Sequence, residues 1–110
     1  MTETEFLSIA ERVLGQIEIS LERAADTADV DIECSRSGNV LEIEFIDSAS
    51  KIIVNTQAPM QEIWVAARTG GFHFRLKDGS WCDTRDSSEL FGALSRLASE
   101  QAGAALSISA

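Results

Sequence analysis

The sequence predicts an α+β fold: a two-layer αβ sandwich with two helices packed on one face of a five- to six-stranded antiparallel sheet. Three observations carry this reading. Apolar residues recur at helical spacing over the first quarter of the chain, alternate with polar ones through the middle, and return to helical spacing near the end. From Glu3 to Ala25, Phe6, Ile9, Ala10, Val13, Leu14, Ile17, Leu21 and Ala24 mark one face of an amphipathic helix. Three half-buried strands follow. Val30, Ile32 and Cys34 alternate with Asp29, Asp31 and Glu33; Leu41, Ile43 and Phe45 with Glu42 and Glu44; Ile52 and Val54 with Lys51 and Asn55. Ser37-Gly38-Asn39 and Asp47-Ser48-Ala49-Ser50 are short enough to join them as hairpins.

Further strands are expected at Gln61 to Ala67 and Phe72 to Leu76, joined by Gly70-Gly71, with Asp78-Gly79 turning into a short strand around Trp81 and Cys82. Asp86-Ser87-Ser88-Glu89 has the capping-box form. It predicts the start of a second helix carrying Leu90, Phe91, Leu94, Leu97 and Ala98 and stopping at Gly103. With 110 residues, 45% of them hydrophobic and one proline, the chain can bury one core, and a single domain over 1–110 is expected. No apolar run approaches the roughly 20 residues of a membrane helix. The start Met1-Thr2-Glu3-Thr4-Glu5 is acidic where a targeting peptide would be basic, so a cytoplasmic protein without membrane association is expected.

The net charge of −9 is unevenly placed. Residues 1–48 hold twelve acids against Arg12, Arg23 and Arg36, whereas residues 49–110 hold six acids and six bases. The first half therefore attracts cations or basic partners and repels nucleic acid, which needs clustered Lys and Arg. At about 100° per residue, Glu11, Glu18 and Glu22 share one edge of the first helix. Asp26 continues that edge. Asp29, Asp31 and Glu33, two apart on a strand, would project to one side and extend it into a ridge if the strand lies beside the helix end.

A solvated acidic surface is the plain reading of such a pattern. Against it, like charges on one face cost a few tenths of a kcal/mol per pair, with only Arg12 and Arg23 to relieve them. Carboxylates without Cys or His suit hard cations such as ferric or ferrous iron, manganese, calcium or magnesium rather than zinc or copper(I). An EF-hand is excluded, since the glycine at loop position six and the closing Glu are missing. Binding on an open ridge should be weak, multi-site and partly solvent-liganded. Cys34 and Cys82 have neither disulfide-framework nor zinc spacing and read as core fillers. Trp64 alternates with Ile63 and Val65 and should stand on the uncovered sheet face with Glu62, Asn55 and Gln57, either as a tryptophan buried at a sheet edge or as an aromatic anchor for a partner. His73 has no Ser, Cys or Asp at motif spacing, no phosphate-binding loop exists, and no catalytic residue is assigned.

Ser50-Lys51-Ile52-Ile53-Val54-Asn55-Thr56-Gln57-Ala58-Pro59, Gln61-Glu62-Ile63-Trp64-Val65-Ala66, Gly70-Gly71-Phe72-His73-Phe74, Trp81 and Gln101-Ala102-Gly103 together resemble the frataxin family. The resemblance implies a protein that binds ferrous and ferric iron weakly at surface carboxylates and takes part in iron–sulfur cluster assembly. It further implies contact with the cysteine desulfurase and the cluster scaffold protein, as iron donor or as regulator. By the same resemblance the ridge falls on Glu3, Glu5, Glu11, Glu18, Glu22, Asp26, Asp29, Asp31 and Glu33, and the partner surface on Glu18, Glu22, Asn55, Gln57 and Trp64. Leu7, Arg23, Ala25 and Thr56 depart from what bacterial members often carry, which predicts fewer iron equivalents and a weaker helix-side site. A monomer is expected, with iron-dependent oligomers as an alternative, and no enzymatic activity, since an open ridge offers no protected site for iron oxidation. A metal-independent acidic module that docks on a basic protein surface, or acts as its decoy, is the alternative function.

Overall fold

The computed structural model describes residues 1–110. Helix α1 (Glu3–Ala28) begins with a capping box at Thr2, whose hydroxyl accepts the Glu5 N–H at 3.1 Å while the Glu5 carboxylate accepts the Thr2 N–H at 2.9 Å. Its buried stripe is Phe6, Ala10, Val13, Leu14, Ile17, Leu21 and Ala25. The helix runs one turn past its expected end at Ala25. Asp29 stops it, with φ 57° and ψ 46°, the left-handed conformation that Asp tolerates better than most residues. Asp29 is therefore a helix cap and not a strand residue, contrary to the alternation read from Asp29 to Glu33.

The sheet is a six-stranded antiparallel meander in chain order: β1 (Ile32–Ser37), β2 (Val40–Phe45), β3 (Ser50–Gln57), β4 (Glu62–Ala67), β5 (Gly70–Lys77) and β6 (Ser80–Asp83). Leu41, Ile43, Phe45, Ile52, Val54, Ile63, Val65 and Phe74 all point to one face and are buried there with the apolar stripes of both helices. Phe6 meets Trp81 edge-on at 6.0 Å, tying α1 to the far strand β6. One turn differs from expectation. Gly70 and Gly71 belong to β5, and the β4–β5 loop is Arg68-Thr69, because Ala67 pairs with Gly70. This register places Trp64 opposite His73 and Glu62 opposite Arg75; a Gly70-Gly71 loop would have set Trp64 against Lys77.

Helix α2 (Leu90–Ala102) starts later than the Asp86 motif predicts. Asp86 instead accepts the Ser88 N–H in a local turn, Ser87 has φ 66°, and Glu89 bridges to Cys82, which holds 86–89 out of the helix. Glu89 is the cap, its carboxylate accepting from Phe91 N–H at 3.0 Å and Gly92 N–H at 3.1 Å. Gly103, at φ 67°, ends the helix as expected. Beyond it the chain runs extended along both helices. Leu106 and Ile108 are buried, and Ser95 and Ser99 each accept a backbone N–H from this segment at 2.8 Å.

Gln101, buried on α2, joins the layers: its carbonyl accepts the Arg68 N–H of the β4–β5 turn, and its amide donates to Ser50 Oγ and Lys51 O at the start of β3. Gln101→Leu keeps most of the volume but removes three hydrogen bonds, leaving the Arg68 N–H and the Lys51 carbonyl without the Gln101 side chain. It should lower unfolding free energy by about 1–3 kcal/mol, read as a lower urea midpoint at unchanged slope; an unchanged midpoint would refute the latch.

Candidate functional site

Two surfaces carry the residues singled out by the sequence. The first is the edge where α1 passes β1. Along β1, Ile32, Cys34 and Arg36 face the helix, and the pleat turns Glu33 to the opposite sheet face, where it stands across from Glu44. Arg36 rises into the helix acids, donating to Glu11 at 2.6 Å and lying 3.5 Å from Glu18, with its side chain only 23% exposed. Neither Arg12 nor Arg23, the expected counter-ions, makes an ion pair. The relief comes from a residue distant in sequence, because the edge strand lies alongside the helix. Cys34 is half-buried in the same crevice, and burial, reinforced by the charges of Glu18 and Glu22, pushes its thiol up to about 11. At neutral pH it is a protonated thiol and a poor metal ligand.

Glu22, Asp26, Asp29, Asp31 and Glu33 are exposed and have no cationic partner. They do not form the continuous row expected of a strand beside a helix. Asp26 lies on the last turn of α1, Asp29 caps it, Asp31 precedes β1 with its carbonyl accepting Ile46 N–H, and Glu33 looks the other way. The acids thus wrap around the corner of the sheet, and nowhere do three His, Cys, Asp or Glu side chains converge on one point. Such a surface can hold hard cations through one or two carboxylates and water, in several places and loosely. At the other end of α1, Glu5 is engaged in the capping box, and the Thr2 backbone and hydroxyl hold its carboxyl below the usual range. Of the departures noted in the sequence, Ala25 and Thr56 face the core and belong to neither surface, whereas Leu7 and Arg23 are exposed.

The second surface is the sheet face that no helix covers. Trp64, Asn55 and Gln57 stand there half-buried, as their alternation predicts, with Gln57 donating to Asn55 at 2.8 Å. Three residues that sequence reasoning left without a role complete the group. His73 stacks on Trp64 with ring centroids 4.4 Å apart and planes 9° from parallel. Glu62, its side chain only 4% exposed, accepts the Trp64 indole N–H at 2.9 Å and the Arg75 guanidinium at 2.5 Å, with His73 Nδ1 at 3.7 Å. The i, i+2 spacings of Glu62 with Trp64 and of His73 with Arg75, combined with a two-residue β4–β5 loop, would have predicted both cross-strand pairs. The glycines of β5 drew the turn two residues too late. A groove of about 690 Å³ lies elsewhere, between α1 and residues 105–110, with Arg23 as its one charged side chain.

Burial of Glu62 opposes its ionisation, yet the indole and guanidinium hydrogen bonds outweigh it and hold the carboxyl below the usual range. A depressed carboxylate stabilises the fold above its unfolded value, about 4.3, and that contribution is lost as pH falls through the lower folded value. Unfolding free energies measured between pH 6 and 3 should therefore converge for the native protein and Glu62→Gln as pH drops. A constant difference across that range would refute the assignment.

The family model described as the frataxin-like domain matches residues 1–104. A curated relative, the iron-sulfur cluster assembly protein CyaY of Janthinobacterium sp. (strain Marseille), is 66% identical over 103 residues, spanning 94% of this chain and 92% of its own. Among solved structures, frataxin from Psychromonas ingrahamii superposes with a TM-score of 0.84 at 24% identity, over 100% of both chains. Trimeric frataxin from the yeast Saccharomyces cerevisiae, complexed with ferrous iron, gives 0.73 at 24% identity, over 86% of this chain and 85% of that one. The solved structures share the two-helix, antiparallel-sheet fold described above. The family match from residue 1 to residue 104 and the 66% identity over nearly the whole chain establish that this protein belongs to the frataxin family.

Proposed function

We propose that residues 1–110 act as a single iron-binding domain in cytoplasmic iron–sulfur cluster assembly, supplying iron to the cysteine desulfurase–scaffold complex or regulating it, and not as an enzyme. The observation that carries the reading is the set of five exposed, unpaired carboxylates, Glu22, Asp26, Asp29, Asp31 and Glu33, around one corner of the sheet. Unpaired like charges cost stability, and hard oxygen donors on an open surface suit a cation that must be handed on. The relative's name as an assembly protein and the ferrous complex of a yeast frataxin support this reading. In it, iron is cargo. Glu11 and Glu18 contribute less than their position suggests because Arg36 occupies them. The partner proteins dock on Glu18 and Glu22 and on the face of Asn55, Gln57 and Trp64, through charge at the first and an aromatic anchor among amides at the second. The protein works as a monomer, with oligomers under iron load as the alternative.

A second reading is favoured by the lack of any convergent ligand set. The acids would then be a metal-independent docking surface for a basic protein. An anaerobic ferrous titration followed by backbone amide NMR, with magnesium at equal ionic strength, separates the two. Selective broadening around Glu22, Asp26, Asp29, Asp31 and Glu33 with iron alone is expected. Equal, diffuse shifts with both ions would overturn metal handling in favour of docking.

Arg36→Gln should strengthen ferrous binding at Glu11 and Glu18. Two unit charges 4 Å apart in water interact by about 1 kcal/mol, so the gain should be about fivefold in Kd, with new broadening at those two residues. Unchanged affinity in a folded variant would show that the helix side takes no part.

A further inference from the structure

Glu62 is the one carboxylate on the uncovered sheet face that is removed from water, and no helix lies over it. Its cover comes from the side chains that surround it on that face. One carboxylate oxygen receives the indole N–H of Trp64, the other the guanidinium of Arg75, and the imidazole of His73 lies within 3.7 Å while stacking flat on the indole. A tryptophan on an open sheet would ordinarily sample several rotamers, and a partner using it as an anchor would have to immobilise it, at about 0.5–1.5 kcal/mol for a mobile side chain. Here the polar edge of the ring is tied and one face is stacked before any partner arrives. Arg75 and His73 are both more than half exposed, so neither is held there by core packing. The Glu62 carboxylate is the one group that touches all three of Trp64, Arg75 and His73.

We infer that Glu62 is a positioning residue. It presets Trp64 and His73 as a rigid aromatic platform for the desulfurase–scaffold complex, acting through the indole without touching the partner. The inference rests on the docking reading of this face. It assigns a role to a residue that the partner surface expected from the sequence did not include, and it makes Arg75 the cation that keeps a buried carboxylate charged.

The test compares Glu62→Ala, Glu62→Gln and Trp64→Ala with the native protein. It measures the indole Nε1–H resonance of Trp64 in the free protein, with buried Trp81 as internal control, and the Kd for purified cysteine desulfurase–scaffold complex. Glu62→Gln retains a carbonyl that can accept the indole N–H. Its indole resonance should stay near the native position and its Kd within about twofold. In Glu62→Ala the Trp64 indole should shift toward the solvent-exposed position and exchange faster while Trp81 stays unchanged. Its Kd should rise about fivefold or more, approaching that of Trp64→Ala. An unmoved Trp64 resonance in Glu62→Ala, or a displaced one with native Kd, would overturn the positioning role while Trp64→Ala still weakened binding. If Trp64→Ala itself bound with native affinity, the docking reading of the face would fall and the inference with it.

Discussion

Both helices lie on the same side of one antiparallel sheet, and the pleat then sorts every strand residue into one of two environments. Ile63 and Val65 complete a dry core, while their neighbours Glu62 and Trp64 must settle their polar groups without any covering layer. The dry core is thus concentrated on one face of the sheet, and the polar and charged side chains on the other face and along the exposed edge. A shift of one residue in any strand would exchange the two sets. The register is fixed by tight turns and by Gln101, which reaches from α2 to two separate strand connections.

The acidic edge shows how local sequence and folded environment part company. Glu11, Glu18 and Glu22 are alike in spacing and in side of the helix, yet the fold brings Arg36 against the first two and leaves the third to solvent. A charge census over the first half of the chain therefore overstates the field available to a cation near the middle of α1 and understates the contrast with the corner at Asp29 and Asp31. The unpaired carboxylates run from Glu22 and Asp26 on the last turns of the helix through the Asp29 cap to Asp31 and, on the opposite sheet face, Glu33.

Much of this was legible in the residues. The apolar periods marked both helices, alternation marked five strands and the Asp78-Gly79 turn the short sixth, and the i, i+2 relation placed Asn55, Gln57 and Trp64 on the uncovered face. The misreadings share one cause. At Asp29, at Gly70-Gly71 and at Asp86-Ser87-Ser88-Glu89, short-range chemistry supports two local structures of similar energy, and packing selects between them. The Thr2 and Glu5 pair forms a capping box, whereas the Asp86 and Glu89 pair, with the same spacing, is held in a turn by the Cys82 bridge. Glu62, His73 and Arg75 were hidden for a related reason: their association is cross-strand, and it depends on a turn being placed correctly to the residue.

The crevice beneath the acidic edge has a consequence for the lone thiol it contains. Oxidation of cysteine to sulfenic acid proceeds through the thiolate, and the surroundings that keep Cys34 protonated also keep that species scarce. Burial contributes most to that scarcity and the negative charges of Glu18 and Glu22 add to it, so packing the helix acids over the edge strand also makes the thiol beneath them slow to oxidise.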